Sequence, residues 1–173
     1  LTTNLLPALN RLTKRLDDKV HAWSEIVKIG RTHLQDAVPL RLGDEVSAWR
    51  DQLIQAKGWL ESSLTGLAQL PLGGTAVGTG LNAPPGFGAD VAKELSVKTG
   101  LSFCQSDNLF AVMGGHDALV QTMGQIRLLA VALLRIANDI RLLGCGPRAG
   151  LGELCLPENE PGSSIMPGKI NPT

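Results

Sequence analysis

Leu42 to Leu70 reads LGDEVSAWRDQLIQAKGWLESSLTGLAQL. Within it Leu42, Val46, Trp49, Leu53, Ala56, Leu60, Leu64 and Leu67 follow one another at steps of 4, 3, 4, 3, 4, 4 and 3. Steps of three and four place all of them on one face of an α-helix, because a turn takes about 3.6 residues. Roughly 28 residues of helix would run about 42 Å, which is long for a compact globule and suits a bundle of long helices.

The same signal appears on both sides. Upstream, Leu5, Leu9, Leu12, Leu16, Val20 and Trp23 form one apolar stripe in a helix expected from about Thr2 to Ile26. Between the two helices, VKIGRTHLQDAVPL (27–40) is punctuated by Gly30 and Pro39 and reads as an extended connection. Downstream, Pro71 to Gly88 is a glycine- and proline-rich loop, followed by a short helix at about Ala89 to Lys98 and a second connection from Gly100 to Ser106. A third long helix is expected over Asp107 to Leu143. It carries two apolar stripes: Leu119, Met123, Ile126, Ala130, Leu133, Ala137 and Ile140 on one, and Leu129, Ile136 and Leu143 on the other. A helix apolar on more than one side is surrounded by other helices, so further segments or neighbouring subunits are expected to cover it. From Gly144 onward helical periodicity stops. Cys145 to Leu156 reads as a small hairpin, and Glu158 to Thr173 as a loop.

Composition narrows the function. Hydrophobic residues make up 43% of the chain, enough to build a core rather than a disordered segment. Lys+Arg and Asp+Glu both number 16. That balance speaks against nucleic-acid binding, which needs a basic surface, and means that any anion site must be built from local groups. Three cysteines without a C-x-x-C pair argue against a disulfide framework or zinc site, so a reducing compartment is the default. No apolar run reaches the roughly 18 residues of a membrane span.

Two segments hold the chemistry-bearing residues. Gly30-Arg31-Thr32-His33-Leu34-Gln35-Asp36 gathers a guanidinium, a hydroxyl, an imidazole, an amide and a carboxylate between two helices. It reads either as a polar connection satisfying its own backbone or as a substrate-binding turn with His33 as proton carrier, since an imidazole titrates near neutral pH. The second is Gly162-Ser163-Ser164-Ile165-Met166-Pro167-Gly168-Lys169-Ile170-Asn171. Glycines let backbone N–H groups approach and cradle an anion, Lys169 adds a point charge and Asn171 adds donors. A flexible terminal loop is the competing explanation. A phosphate loop is rejected: five residues separate Gly162 from Gly168 where that motif needs four, and Ile170 stands where it needs a hydroxyl. GGTAVGTG (73–80) lacks the dinucleotide pattern and reads as a packed turn. His21 and His116 read as structural or surface residues, and Asn138, Asp139 and Arg141 as a polar helix face.

These loops together resemble the fumarase/aspartase superfamily. GSSIMPGKINP (162–172) resembles the superfamily signature, and GRTHLQDA (30–37), GGTAVGTGLN (73–82) and PENEPGSS (157–164) strengthen the likeness. His33 stands where class II fumarases carry His and aspartases carry Gln, and His116-Asp117 is similar to the fumarase wording, although DNLFAVMGG (107–115) departs from it.

The resemblance implies an all-α fold, a long-helix bundle with a small hairpin and loop near the C-terminus. It divides the chain into a central helical domain over 1–143 and, over 144–173, the hairpin and signature loop. It implies a metal-independent lyase, without cofactor, that hydrates fumarate reversibly to (S)-malate. Ser163 and His33 would be catalytic, with Thr32, Ser164, Lys169, Ile170 and Asn171 binding a small dicarboxylate. It implies a homotetramer with active sites shared between subunits, in the cytoplasm or, in a eukaryote, the mitochondrion, with neither nucleic acid nor membrane as partner. It also implies that the chain is an internal piece of a longer protein and is inactive when isolated. The alternatives are another superfamily lyase, such as an aspartate ammonia-lyase or an argininosuccinate-type lyase, and a non-catalytic helical assembly module.

Overall fold

The computed structural model describes residues 1–146 and 148–172. Its elements, in order, are α1 (Leu5–Ala22), β1 (Val27–Thr32), β2 (Gln35–Arg41), α2 (Leu42–Leu67), β3 (Gln69–Leu70), α3 (Phe87–Thr99), β4 (Cys104–Gln105), α4 (Leu109–Gly114) and α5 (Asp117–Leu143). The architecture is mostly helical, with two small sheets. The chain divides into two compact units, Leu1–Leu129 and Ala130–Thr173. No helix among the described residues is long and apolar enough to cross a membrane.

The stripe on α2 organises the first unit. Leu42, Val46, Trp49, Leu53, Ala56 and Leu60 are buried, and α1 packs against this helix with Leu6 and Leu9 buried in turn. Each large apolar side chain removed from water contributes about 1.5–3 kcal/mol, so this seam is the main stabilising feature of the unit. Near its end the buried line passes through Ser63 instead of continuing on Leu64 and Leu67, which are half-buried. The Ser63 hydroxyl is satisfied by donating to the Leu60 carbonyl at 2.7 Å. On α1, Leu12 stays 39% exposed. Arg50 on α2 adds a polar tie by donating to Asp17 on α1. Hydrogen bonds to Asp51 and then Asp17 raise its pKa further above its ordinary value.

The hairpin expected near the C-terminus lies elsewhere. Among the described residues, Cys145 to Leu156 contains no strand, and Pro147 within it falls outside the description. The hairpin is formed instead by β1 and β2, where an extended connection was expected. The β-branched residues of VKIGRTHLQDAVPL pair antiparallel from Val27↔Arg41 to Thr32↔Gln35, with a register shift between Ile29 and Arg31. Pro39 is tolerated because each strand of a two-stranded sheet is an edge strand, where proline fits at positions whose N–H side faces away from the partner. Gly30 is buried, and a Cβ there would meet the Val38 carbonyl oxygen at 2.7 Å, so the close approach of the strands requires glycine. At its base the hairpin is anchored to the helices. The Leu42 amide donates to the Ile26 carbonyl at 2.8 Å, the Gly43 amide to the Trp23 carbonyl at 3.1 Å, and Lys28 pairs with Glu45.

The expected third helix is interrupted. Asn108 caps α4 by accepting from the Ala111 amide, and Gly115 then turns extended before α5 begins at Asp117. Two consecutive glycines, Gly114 and Gly115, make this the weakest point of the segment for helix continuity. β3 and β4 pair in parallel, a contact that joins Gln69 to Cys104. The glycine-rich segment folds into successive turns, with the amides of Gly78 and Gly80 both donating to the Gly74 carbonyl.

The second unit begins within α5. Ala132, Ile136 and Leu143 are buried, whereas Val131 and Leu134 are exposed. Beyond the helix the chain folds back on its end: the Glu153 and Leu154 amides donate to the Leu143 carbonyl, at 2.9 and 3.1 Å. These contacts lead into the loop that starts near Glu158.

Candidate active site

Thr32 ends β1, and His33 and Leu34 form the two-residue tip of the hairpin before Gln35. Both tip residues have positive φ, 53° and 62°. A two-residue turn joining right-twisted strands demands positive φ at both positions, which is why Asn-Gly is its usual occupant. His is tolerated in this region more than most residues, but Leu is an outlier there. The ladder therefore holds two side chains outward in a conformation that neither would choose alone. Thr32 and His33 are exposed, and Arg31 and Asp36 face each other across the strands at 4.0 Å.

The other expected site residues belong to one loop in the second unit. Its ends are joined by an antiparallel bridge between Glu160 and Asn171, and the amides of Asn159 and Glu160 both donate to the Asn171 carbonyl at 3.2 Å. Between them run two turns. The Met166 amide donates to the Ser163 carbonyl at 3.2 Å, with Ser164 and Ile165 at the corner. The Lys169 amide donates to the Met166 carbonyl at 3.1 Å, with Pro167 and Gly168 at the corner. Proline fixes the first corner position, and Gly168, at φ 78°, supplies the positive φ that a type II turn needs at the second. Ser163 is half-buried; Ser164, Lys169 and Ile170 are exposed.

Side chains complete the loop. The Lys169 ammonium donates to the Asn171 Oδ1 at 2.6 Å, and the Asn171 amide nitrogen donates to the Pro161 carbonyl at 3.0 Å. The Gly162 amide donates to the Glu158 carboxylate at 2.9 Å. An ammonium has three donors, so Lys169 keeps two for an anion after its bond to Asn171. The structure thus brings Ser163, Ser164, Lys169, Ile170 and Asn171 into one loop and Thr32 and His33 into one turn. Thr173, the last residue of the expected loop, lies outside the described residues. Sequence reasoning gives no role to Glu158; the only trace is its place in PENEPGSS.

The model of the lyase family matches residues 1–173. The chain belongs to this family. Within it, the sequence is 68% identical to the class II fumarate hydratase of Parasynechococcus marenigrum strain WH8102 over 173 residues, all of this chain and 37% of that protein. It is 64% identical to the class II fumarate hydratase of Prochlorococcus marinus strain MIT 9313, with the same coverage. Among solved structures it is similar to the class II fumarase of Schistosoma mansoni, with a TM-score of 0.90 and 45% identity, over 96% of this chain and 38% of that one. The chain therefore spans somewhat over a third of the length of these lyases. The expected resemblance to class II fumarases holds along the whole sequence.

The remaining polar candidates sit apart from both segments in sequence. His21 is exposed on α1 with its ring nitrogen 2.8 Å from the Asp17 carbonyl. His116 is exposed at the break before α5, on the rim of a cavity of about 660 Å³ whose other walls include Leu67, Leu70 and Met113. Asp139 pairs with Arg135 one turn away on the same helix, at 3.6 Å.

Proposed function

We propose that the protein carrying this chain is a hydro-lyase that interconverts fumarate and (S)-malate by anti addition and elimination of water. The observation that carries this reading is the loop in which Ser163 follows a constrained glycine while Lys169 and Asn171 are hydrogen-bonded to each other, in a sequence similar throughout to class II fumarate hydratases. The C3 proton of malate is weakly acidic because the adjacent carboxylate is already charged. Its removal leaves two negative charges on one end of the molecule, and stabilising that dianion is the main catalytic demand.

In this reading Ser163, as its alkoxide, takes the C3 proton and becomes the neutral hydroxyl. Lys169 and Asn171 hold the charged carboxylate, Ile170 between them contributes main-chain contact, and Ser164 binds substrate. Thr32 binds the substrate from the hairpin, and His33 handles the departing hydroxyl, as acid or through a water. No metal or cofactor takes part. The helical domain over 1–143 carries the framework and 144–173 delivers the loop. Leu119, Val120, Met123, Val131 and Leu134 are exposed along α5. That apolar face supports association with another subunit, and the reading takes the assembly to be a homotetramer in which subunits share active sites. The cytoplasm is the proposed compartment.

The test uses the full-length protein that carries this chain. Fumarate formation is followed by ultraviolet absorbance, first from malate and then from aspartate. Product from malate alone is expected, and Ser163→Ala should lower turnover by about 10²–10⁴-fold, the usual contribution of a positioned proton-transfer group. Product from aspartate would move the assignment to an ammonia-lyase. Turnover within a few-fold of wild type in Ser163→Ala would remove the serine from the mechanism.

A further inference from the structure

Resting on that reading of the loop, we propose that Glu158 is a positioning residue for Ser163, acting on the peptide group that joins Pro161 to Gly162. The two polar ends of this one peptide are each held by a different side chain. Its carbonyl oxygen accepts from the Asn171 amide nitrogen at 3.0 Å, and its N–H donates to Glu158 Oε1 at 2.9 Å. A peptide plane gripped at both ends cannot rotate without losing both bonds, and the N–H bond is of the stronger, charge-assisted kind. The neighbouring geometry leaves no slack: a Cβ on Gly162 would run into the Lys169 carbonyl oxygen. The next residue is Ser163.

The clamp links two functions in one element. Asn171 is hydrogen-bonded to Lys169 on one side and to the Pro161 carbonyl on the other, so the anion-binding arm of the loop and the serine arm share a side chain. Glu158 supplies the other grip without belonging to either arm. It is exposed, and the backbone bridge between Glu160 and Asn171 closes the loop independently of it. Removing its carboxylate should therefore free the orientation of the peptide before Ser163 while leaving the loop closed. A reacting group displaced by a fraction of an ångström loses rate more than it loses substrate affinity.

The experiment compares Glu158→Ala and Glu158→Gln in the full-length protein, with malate as substrate and hydrogen–deuterium exchange of the peptide spanning 159–166 as a second readout. Glutamine keeps an oxygen that can accept the Gly162 N–H, whereas alanine does not. In Glu158→Ala, kcat is expected to fall about tenfold or more with KM changed by less than about threefold, and exchange to accelerate. Glu158→Gln is expected to stay within about threefold of wild type with near-normal exchange, and Tm to be the same in both. Unchanged kcat and exchange in Glu158→Ala would overturn the proposal, as would equal impairment of both variants, because charge rather than the N–H acceptor would then matter. If the wild type converts neither malate nor fumarate, the hydro-lyase reading fails by itself. The exchange data then decide the clamp alone: protection lost in alanine and kept in glutamine upholds it, and any other pattern overturns it.

Discussion

The hairpin tip at Thr32–Gln35 and the loop over 158–172 present the two sets of candidate site residues by opposite means. The hairpin is fixed by its backbone: a ladder from Val27↔Arg41 to Thr32↔Gln35 dictates where His33 and Leu34 stand, even at positive φ. The loop has one backbone bridge and two turns, and the rest of its shape is held by the side chains of Glu158, Lys169 and Asn171. A backbone-held site tolerates exchange of its tip side chains and fails when the strands are pushed apart. A side-chain-held site fails when one polar group or the clearance for one methyl group is lost, with little effect on the stability of the whole.

This contrast can be broken most forcefully at the loop. Gly162→Ala would press a methyl group against the Lys169 carbonyl oxygen and displace Ser163. Activity should drop by about 10²-fold or more while Tm hardly moves, because the segment is largely exposed. Steady-state kinetics and thermal unfolding of the same preparation check both halves. At the hairpin tip, His33→Asn should cost about 10²-fold in turnover by removing the proton carrier. Asparagine is at home at positive φ, so Tm should not fall. A large fall in Tm would mean that the tip side chain holds the turn rather than the reverse.

The same Gly-to-Ala change at Gly30 should act in the other currency. Its Cβ would meet the Val38 carbonyl oxygen inside the hairpin, and overpacking of this kind costs about 1–3 kcal/mol. Thermal unfolding should show the loss, and any fall in activity should follow the fall in folded protein. The smallest effect belongs to Leu34→Gly. Relieving a leucine from the left-handed region, less the extra freedom of glycine in the unfolded chain, should stabilise the protein by about 0.5–1 kcal/mol. Denaturant unfolding measures it; a destabilised variant would show that the exposed Leu34 side chain makes contacts worth more than the strain.

Legibility differed between the two regions for physical reasons. Residues 30–37 lack the Asn-Gly or Asp-Gly pair by which a two-residue hairpin is recognised, so a real ladder read as an extended connection. Residues 145–156 have small residues suited to a hairpin, but at Glu153 and Leu154 the chain folds back onto the end of α5, bonded to the Leu143 carbonyl. The break at Gly115 was masked by apolar residues that keep helical spacing on both sides of it. In the loop, Pro167-Gly168 announces its turn, whereas the grip of Asn171 on the Pro161 carbonyl joins residues ten apart and leaves no local mark.

From sequence alone came the helices of the α1–α2 seam, because three- and four-residue spacing of apolar side chains is a local property of one strand of chain. The same holds for the chemical inventory of the two loops, because serine, lysine, asparagine and histidine carry their chemistry wherever they stand. Only the tertiary structure decided that β3 meets β4, that the hairpin lies before α2, and that Glu158 and Asn171 seize opposite ends of one peptide. The β3–β4 contact and the grip of Asn171 on Pro161 pair groups distant in sequence, whereas the hairpin and the Glu158 bond are local pairings without a turn signature; all are fixed by the satisfaction of backbone hydrogen bonds, and no periodicity records them.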